Sequence, residues 1–287
     1  MEVWTGLTTV LLPLLYLVLW GSYVWFFVAE RNLARSWSRM LTGGTLLVHI
    51  IHITLRTVDL GRLPLATPLE FCSMLALMIM VIYVILERML RVRVTGALVV
   101  GLAFILQFIA SAFHSPSDAV NPLLGDPGYA VHALLVLLSY TSLSLSFLFA
   151  VIYMVQSRQL RRHTFGLLFR RLPPLETLER MSVGTVRLGV PLLFSALVMG
   201  HMWLYNLRDS LPPQQADLLS PYDPKILISW LILLGYTAGL FGHAKLGWRG
   251  RRMNVVAITA WVTVVVTMGL LHHFVPSFHD FTLRSGV

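Results

Sequence analysis

Residues 132–160 read HALLVLLSYTSLSLSFLFAVIYMVQSRQL, with no charged side chain between His132 and Arg158. A helix rises about 1.5 Å per residue, so about 20 apolar residues cross the hydrocarbon core of a bilayer. In lipid every backbone N–H and C=O must be paired internally, which leaves only helices and closed barrels. Barrel strands are about 10 residues long and alternate in polarity. This run is too long and too uniformly apolar for such a strand, so it predicts a membrane-spanning helix.

The rest of the chain repeats the pattern. Of 287 residues 56% are hydrophobic and 12% charged, and the mean hydropathy is +0.74, far outside the range of a soluble domain of this length. Apolar runs fall at roughly 6–29, 39–57, 68–87, 95–113, 130–157, 186–206, 224–244 and 254–273. The expected fold is an all-α membrane protein, one polytopic domain over 1–287 built as a bundle of about eight transmembrane helices. The first run lacks a basic start and a small-residue cleavage site, so it reads as a span and not as a cleaved signal peptide.

The +9 net charge is distributed by connection. Arg31, Arg35 and Arg39 follow the first run; Arg88, Arg91 and Arg93 the third; seven arginines between Arg158 and Arg187 the fifth; Lys245, Arg249, Arg251 and Arg252 the seventh. Together these are 17 of the 22 basic residues, against Arg56, Arg62, Arg208, Lys225 and Arg284 on the other side. By the positive-inside rule the odd connections are cytoplasmic and both termini lie outside. The charge is thus a topology signal and implies the lipid bilayer, not nucleic acid, as partner. Residues 158–187, with arginine pairs among Leu and Phe and a break at Pro173 and Pro174, read as a cytoplasmic basic interfacial loop on anionic headgroups. The other long connection, HSPSDAVNPLLGDPG (114–128), carries no basic residue and reads as an irregular outer loop.

A single cysteine, Cys72 in the third run, excludes an internal disulfide framework and a CxxC pair. No CxxCH, Walker loop, HExxH or GxSxG occurs, so the chain is neither a c-type cytochrome nor a hydrolase or nucleotidase of those kinds. Two acidic residues have local explanations. TPLE (67–70) reads as a capping box opening the third span, with Thr67 at the N-cap and Glu70 at N3. YDPK (222–225) puts Asp223 at the N-cap of the seventh span.

Histidine is the remaining chemistry. His114, His132, His201, His272, His273 and His279 fall on or near the expected outer face, His49 and His52 in the second span, His163 and His243 at the inner face. A lone imidazole in a membrane is commonly satisfied by one hydrogen bond to a neighbouring helix. His132, opening the fifth span, and the three histidines of LLHHFVPSFHDF (270–281), closing the eighth, share one side. Two imidazoles facing each other across an aromatic-lined gap suit a six-coordinate haem iron, and Asp280 can orient one of them.

Several stretches resemble the membrane haem-handling proteins of cytochrome c assembly, the CcsA, CcmC and HemX types. The resemblance runs from about His49 to Phe281 and is carried by residues 132–160, LPPLETLERMSVGTVRLGVPLLFSALVMGHMW (172–203), SPYDPKILISWLILL (220–234), GWRGRR (247–252), MGLLHHFVPSFHDF (268–281) and LPLATPLEFCSMLAL (63–77). It implies that His132 and His279 are axial ligands of a non-covalent haem b on the outer face, with His272 and His273 left in the helix end. It places His49, with His52 one turn away, near the family's first intramembrane histidine, and His243 near the second. Residues 203–226, with the external loop at 207–223, are similar to the family's tryptophan-rich outer haem segment, of which Trp203, Tyr205, Tyr222 and Asp223 are kept. The aromatic run is thinned, and Ile226 stands where the family has glutamate, a pattern closer to the HemX branch.

The resemblance implies a multi-pass protein of the bacterial inner membrane that takes part in haem delivery for cytochrome c biogenesis. Bis-histidine ligation would protect oxidised iron, and a partner membrane protein would present the apocytochrome c. No enzyme activity of this polypeptide alone is expected. Two alternatives stand beside this: a HemX-like regulatory or accessory membrane protein of haem synthesis, and a structural subunit of a membrane complex.

Overall fold

The computed structural model describes residues 2–29, 32–65, 67–113, 125–210, 212 and 219–274. Among them nine helices and no strand occur: α1 (Glu2–Ala29), α2 (Asn32–Leu60), α3 (Pro68–Leu90), α4 (Gly96–Ala112), α5 (Pro127–Arg161), α6 (Leu167–Arg171), α7 (Leu175–Ser210), α8 (Pro224–Lys245) and α9 (Gly250–Phe274). Seven of these are long and apolar enough to cross a membrane; α4, where a further span is expected, is a shorter apolar helix of 17 residues. The helices also outrun the hydropathy. α5 continues to Arg161 and α7 begins at Leu175 and ends at Ser210, so much of 158–187 and the start of 207–223 are helical rather than loop. The break between them is where Pro173 and Pro174 stand, residues that cannot continue a helix from before but suit the start of a new one.

Packing divides the chain into two compact units, Met1–Val120 with Gln156–Thr177, and Asn121–Val155 with Leu178–Val287. In the first, α1 buries Thr5, Thr8, Leu12, Tyr16, Leu19 and Tyr23, a stripe at three- and four-residue steps, while Val3, Leu7, Val10, Leu14 and Val18 stay exposed as a lipid-facing side would. Opposite it, α2 buries Ser38, Thr42, Thr45, His49 and His52 at the same steps. Hydroxyls and imidazoles thus form the seam where apolar residues form it in a soluble coiled coil, because only the protein interior offers them partners. α4 closes on α1 through glycines. A Cβ on Gly96 would meet the rings of Tyr23 and Tyr83, and one on Gly101 would come 2.8 Å from Trp20 Nε1. Trp20 in turn donates to Ala97 O at 2.9 Å and stacks on Phe104.

α3 opens as expected. Thr67 Oγ1 accepts from Glu70 N at 3.1 Å and a Glu70 carboxylate oxygen accepts from Thr67 N, with Pro68 at the first helical position. Thr67→Ala is expected to cost about 1 kcal/mol, read as a lowered thermal midpoint in detergent with the fold retained.

In the second unit α5 and α7 pack along small residues. Ser139 donates to Gly189 O at 2.9 Å, Ser146 and Ser182 bond at 3.1 Å, and Leu143 lies against Gly189. α8 and α9 complete a core with Leu143, Val186, Leu193, Leu197, Tyr236 and Val264. Tyr153 Oη against Gly250 and the Phe147–Trp261 ring contact set α9 antiparallel to α5. The last turns of α9 therefore run toward the end where α5 begins. Cys72 lies within α3 as expected.

Candidate functional site

The beginning of α5 and the last turns of α7 hold one another through two glycine notches. On α5, Gly128 leaves room for Trp203, whose Cδ1 would lie 2.6 Å from a Cβ there. On α7, Gly200 leaves room for His132, whose Cε1 and Nδ1 would each lie 2.7 Å from a Cβ. Asp126 Oδ1 accepts from the amides of Gly128 and Tyr129 at 2.7 and 3.1 Å, anchoring the first turn of α5. Tyr129 packs on Trp203 with ring centroids 5.7 Å apart.

Seated in its notch, His132 places Nδ1 2.9 Å from Ala196 O. A carbonyl can only accept, so Nδ1 carries the proton, and the neutral ring's lone pair sits on Nε2. Orienting one ring nitrogen on a carbonyl is how proteins prepare the other for a metal. A second imidazole is held alike: His201 Nδ1 bonds Leu197 O at 2.8 Å, and its ring meets Trp230 edge-on at 5.9 Å. Asp223 is buried at the start of α8, where Oδ1 accepts from Lys225 N at 2.8 Å. This N-cap is the one expected from YDPK, and Pro224 follows it at N1.

In the first unit the buried histidines serve a different arrangement. Tyr16 Oη lies 2.9 Å from His49 Nδ1, and His49 Nε2 lies 3.2 Å from Ser73 Oγ. Ser73 donates to Gln107 Oε1 at 2.9 Å, and Gln107 Nε2 donates to Ser111 Oγ at 3.1 Å. Because Ser73 Oγ gives its proton to Gln107, it accepts from His49 Nε2–H, and His49 Nδ1 accepts from Tyr16. One direction of donation therefore runs from Tyr16 to Ser111 through four helices. His52, its ring 6.3 Å from that of His49, donates from Nδ1 to Thr8 Oγ1 at 2.8 Å. A cavity of about 30 Å³ beside it is lined by His52, Arg56, Glu70, Ser73 and Gln107, the size of a water site and far below a porphyrin. Glu70 closes this cavity with a paired contact to Arg62, at 2.9 and 3.2 Å, and lies 3.7 Å from Arg56.

His243 lies at the other end of α8, ~30 Å along the helix from Asp223 by helical rise. Arg249 Nη1 is 2.8 Å from its Nδ1 and also bonds its backbone oxygen, so it sits under a guanidinium. His279, with Asp280 and Phe281, lies outside the described residues, as does His114. His272 and His273 fall in the last turns of α9, in the helix end as expected. The structure thus gathers His132, Trp203 and Asp223 at the α5-start end of the second unit. It joins His49 to His52 within the first and leaves His243 apart. Tyr16, Ser73, Gln107 and His201 are added by the structure. Gln107 was open to notice, being an amide within an apolar run, where polar groups need partners.

These features define a polytopic helical membrane protein with an imidazole presented in an aromatic setting at one end of a paired-helix seam. A family profile described as cytochrome C assembly protein matches residues 8–273. The chain belongs to that family. It is 29% identical over 197 residues to protein HemX of Bacillus subtilis, covering 66% of this chain and 68% of that one. It is 31% identical over 151 residues to the inner membrane protein YpjD of Escherichia coli, covering 53% of each. It is 25% identical over 270 residues to the cytochrome c biogenesis protein CcsA of Heterosigma akashiwo, covering 79% of this chain and 80% of that one. No solved structure matches it.

Proposed function

We propose that the chain is a multi-pass protein of the bacterial inner membrane that binds b-type haem non-covalently at the outer end of the α5–α7 seam and passes it on for cytochrome c assembly. The observation that carries this reading is the His132 ring, seated against Gly200 with Nδ1 2.9 Å from Ala196 O. The donor chemistry fits haem: one oriented imidazole, with Tyr129 and Trp203 at the same end of the seam to meet a porphyrin face. His279 supplies the second axial imidazole in this reading. The antiparallel run of α9, ending at Phe274 five residues before it, supports that assignment. A haem held there would supply an iron with exchangeable ligands; His132 and His279 would hold it until both give way to an apocytochrome that a partner membrane protein presents. The charge distribution supports a topology with both termini outside, with α4 as an eighth crossing. His49, His52 and His243 act in this reading within their own helix seams.

The test is a haem titration of the purified protein. A low-spin six-coordinate spectrum supports the reading; its absence sinks it. Gly200→Ala sharpens the test. The added methyl would push the His132 ring off Ala196 O, yet alanine suits a helix better than glycine. Haem affinity is expected to fall about 10–100-fold with the thermal midpoint little changed.

The exposed arginines Arg158, Arg161 and Arg162 favour a second reading, an accessory role acting through 158–187. Arg158→Gln/Arg161→Gln/Arg162→Gln, which changes exposed side chains and leaves the α5–α7 seam intact, would abolish function under the second reading, whereas the first expects both the haem spectrum and the cytochrome yield to survive.

A further inference from the structure

The first unit contains a cavity of about 430 Å³ at the turn between α3 and α4, where Arg39 from α2 meets Arg88, Arg91 and Arg93. Glu87 is the carboxylate that lines it, and its charge is already committed. Arg93 Nη2 lies 2.6 Å from one of its oxygens, and Tyr23 donates to the other at 2.7 Å. Arg39, Arg88 and Arg91 form no ion pair among the described residues. The three exposed guanidiniums around one cavity add up to a local positive potential that attracts an anion. Part of their charge is answered by the carbonyl end of α3, but that partial charge is small and falls at one wall only.

The backbone carries a second sign. Arg91 sits at the C-cap of α3 with φ +54° and ψ +29°, the left-handed position that glycine or asparagine fills in most helices. A long cationic side chain held there at a conformational cost points to a role for that side chain. The deeper wall is of another character. Leu46 and Val84 line it, and Gly43 has no atom within 4 Å of where a Cβ would stand. Charge at the mouth and an open apolar wall beneath match an amphiphile with an anionic head.

We propose that this cavity binds a phosphate-bearing anion, with the headgroup of an anionic phospholipid as its source. Guanidiniums pair with phosphate oxygens through two parallel N–H donors, and an acyl chain would follow Gly43, Leu46 and Val84.

The experiment measures binding of phosphatidylglycerol, phosphatidylcholine and inorganic phosphate to the full chain in neutral detergent. Phosphatidylglycerol is expected to bind well above phosphatidylcholine, whose headgroup is neutral overall. Arg39→Gln/Arg88→Gln/Arg91→Gln should weaken it about a hundredfold. Arg91→Gly should weaken it about fivefold while the thermal midpoint holds or rises, because glycine accepts the positive φ; this variant separates loss of binding from loss of fold. Arg158→Gln/Arg162→Gln, outside the cavity, should leave binding unchanged. Competition by inorganic phosphate supports the site with a soluble phosphate as ligand; phosphatidylglycerol binding without such competition supports the lipid headgroup. Wild-type affinity in the triple variant, or an equal loss in the Arg158 and Arg162 variant, overturns the proposal.

Discussion

His132→Ala is expected to abolish the low-spin haem spectrum that the proposed site would give, and with it the yield of c-type cytochrome. Loss of a hydrogen bond that merely supports a ligand already costs about 10–100-fold in affinity, so loss of the imidazole itself is expected to exceed that range. The fold should survive, because the ring is seated in a glycine notch at the end of the seam and the Ser139–Gly189 and Ser146–Ser182 contacts below it are untouched. That notch also offers a second readout: the vacated space should admit free imidazole, which restores a six-coordinate spectrum without restoring delivery. His201→Ala is the control. Its ring is anchored in the same manner on the next carbonyl of α7, so a loss of spectrum in His201→Ala with retention in His132→Ala would move the ligand to α7 and refute the assignment to α5.

How far the sequence could be read depended on the reach of each interaction. The capping box at Thr67 and Glu70 and the N-cap at Asp223 involve residues two or three positions apart, and both were legible. The membrane helices were legible from composition, but hydropathy measures where lipid contact ends, not where hydrogen bonding ends. Hence α5 and α7 extend past their apolar runs into Arg-rich and Asp-containing sequence. The hydrogen-bond chain through His49 was not legible, since its partners Tyr16 and Ser73, and Gln107 beyond Ser73, come from three other helices. The clue was periodic. Ser38, Thr42, Thr45, His49 and His52 recur at steps of three and four, a polar stripe that in lipid can only face protein. The seat of His132 was hidden for the same reason, because Gly200 lies 68 positions away and a glycine notch leaves no mark in a hydropathy profile.

Glu70→Ala is expected to cost about 3–5 kcal/mol of stability. Glu70, at 7% exposure, is shared by Arg62, at 8%, and Arg56, beside a cavity too small for bulk water to rescue the guanidiniums. Removing the carboxylate leaves buried positive charge in place and breaks the capping box of α3 in the same step. Glu70→Gln separates the two effects, since the amide can still accept from Thr67 N and from one guanidinium but carries no charge; its loss should be intermediate. Arg62→Met alone removes one charge and leaves Glu70 with Arg56 3.7 Å away, so it should cost less than Glu70→Ala. The double variant Glu70→Gln/Arg62→Met removes the mismatch and should recover much of the Glu70→Ala loss, because replacing a buried pair is far cheaper than breaking it. Equilibrium unfolding in mixed micelles at fixed detergent composition measures all four. Equal stability of Glu70→Ala and the wild type would show that the carboxylate is solvated and that this end of α3 is open to water.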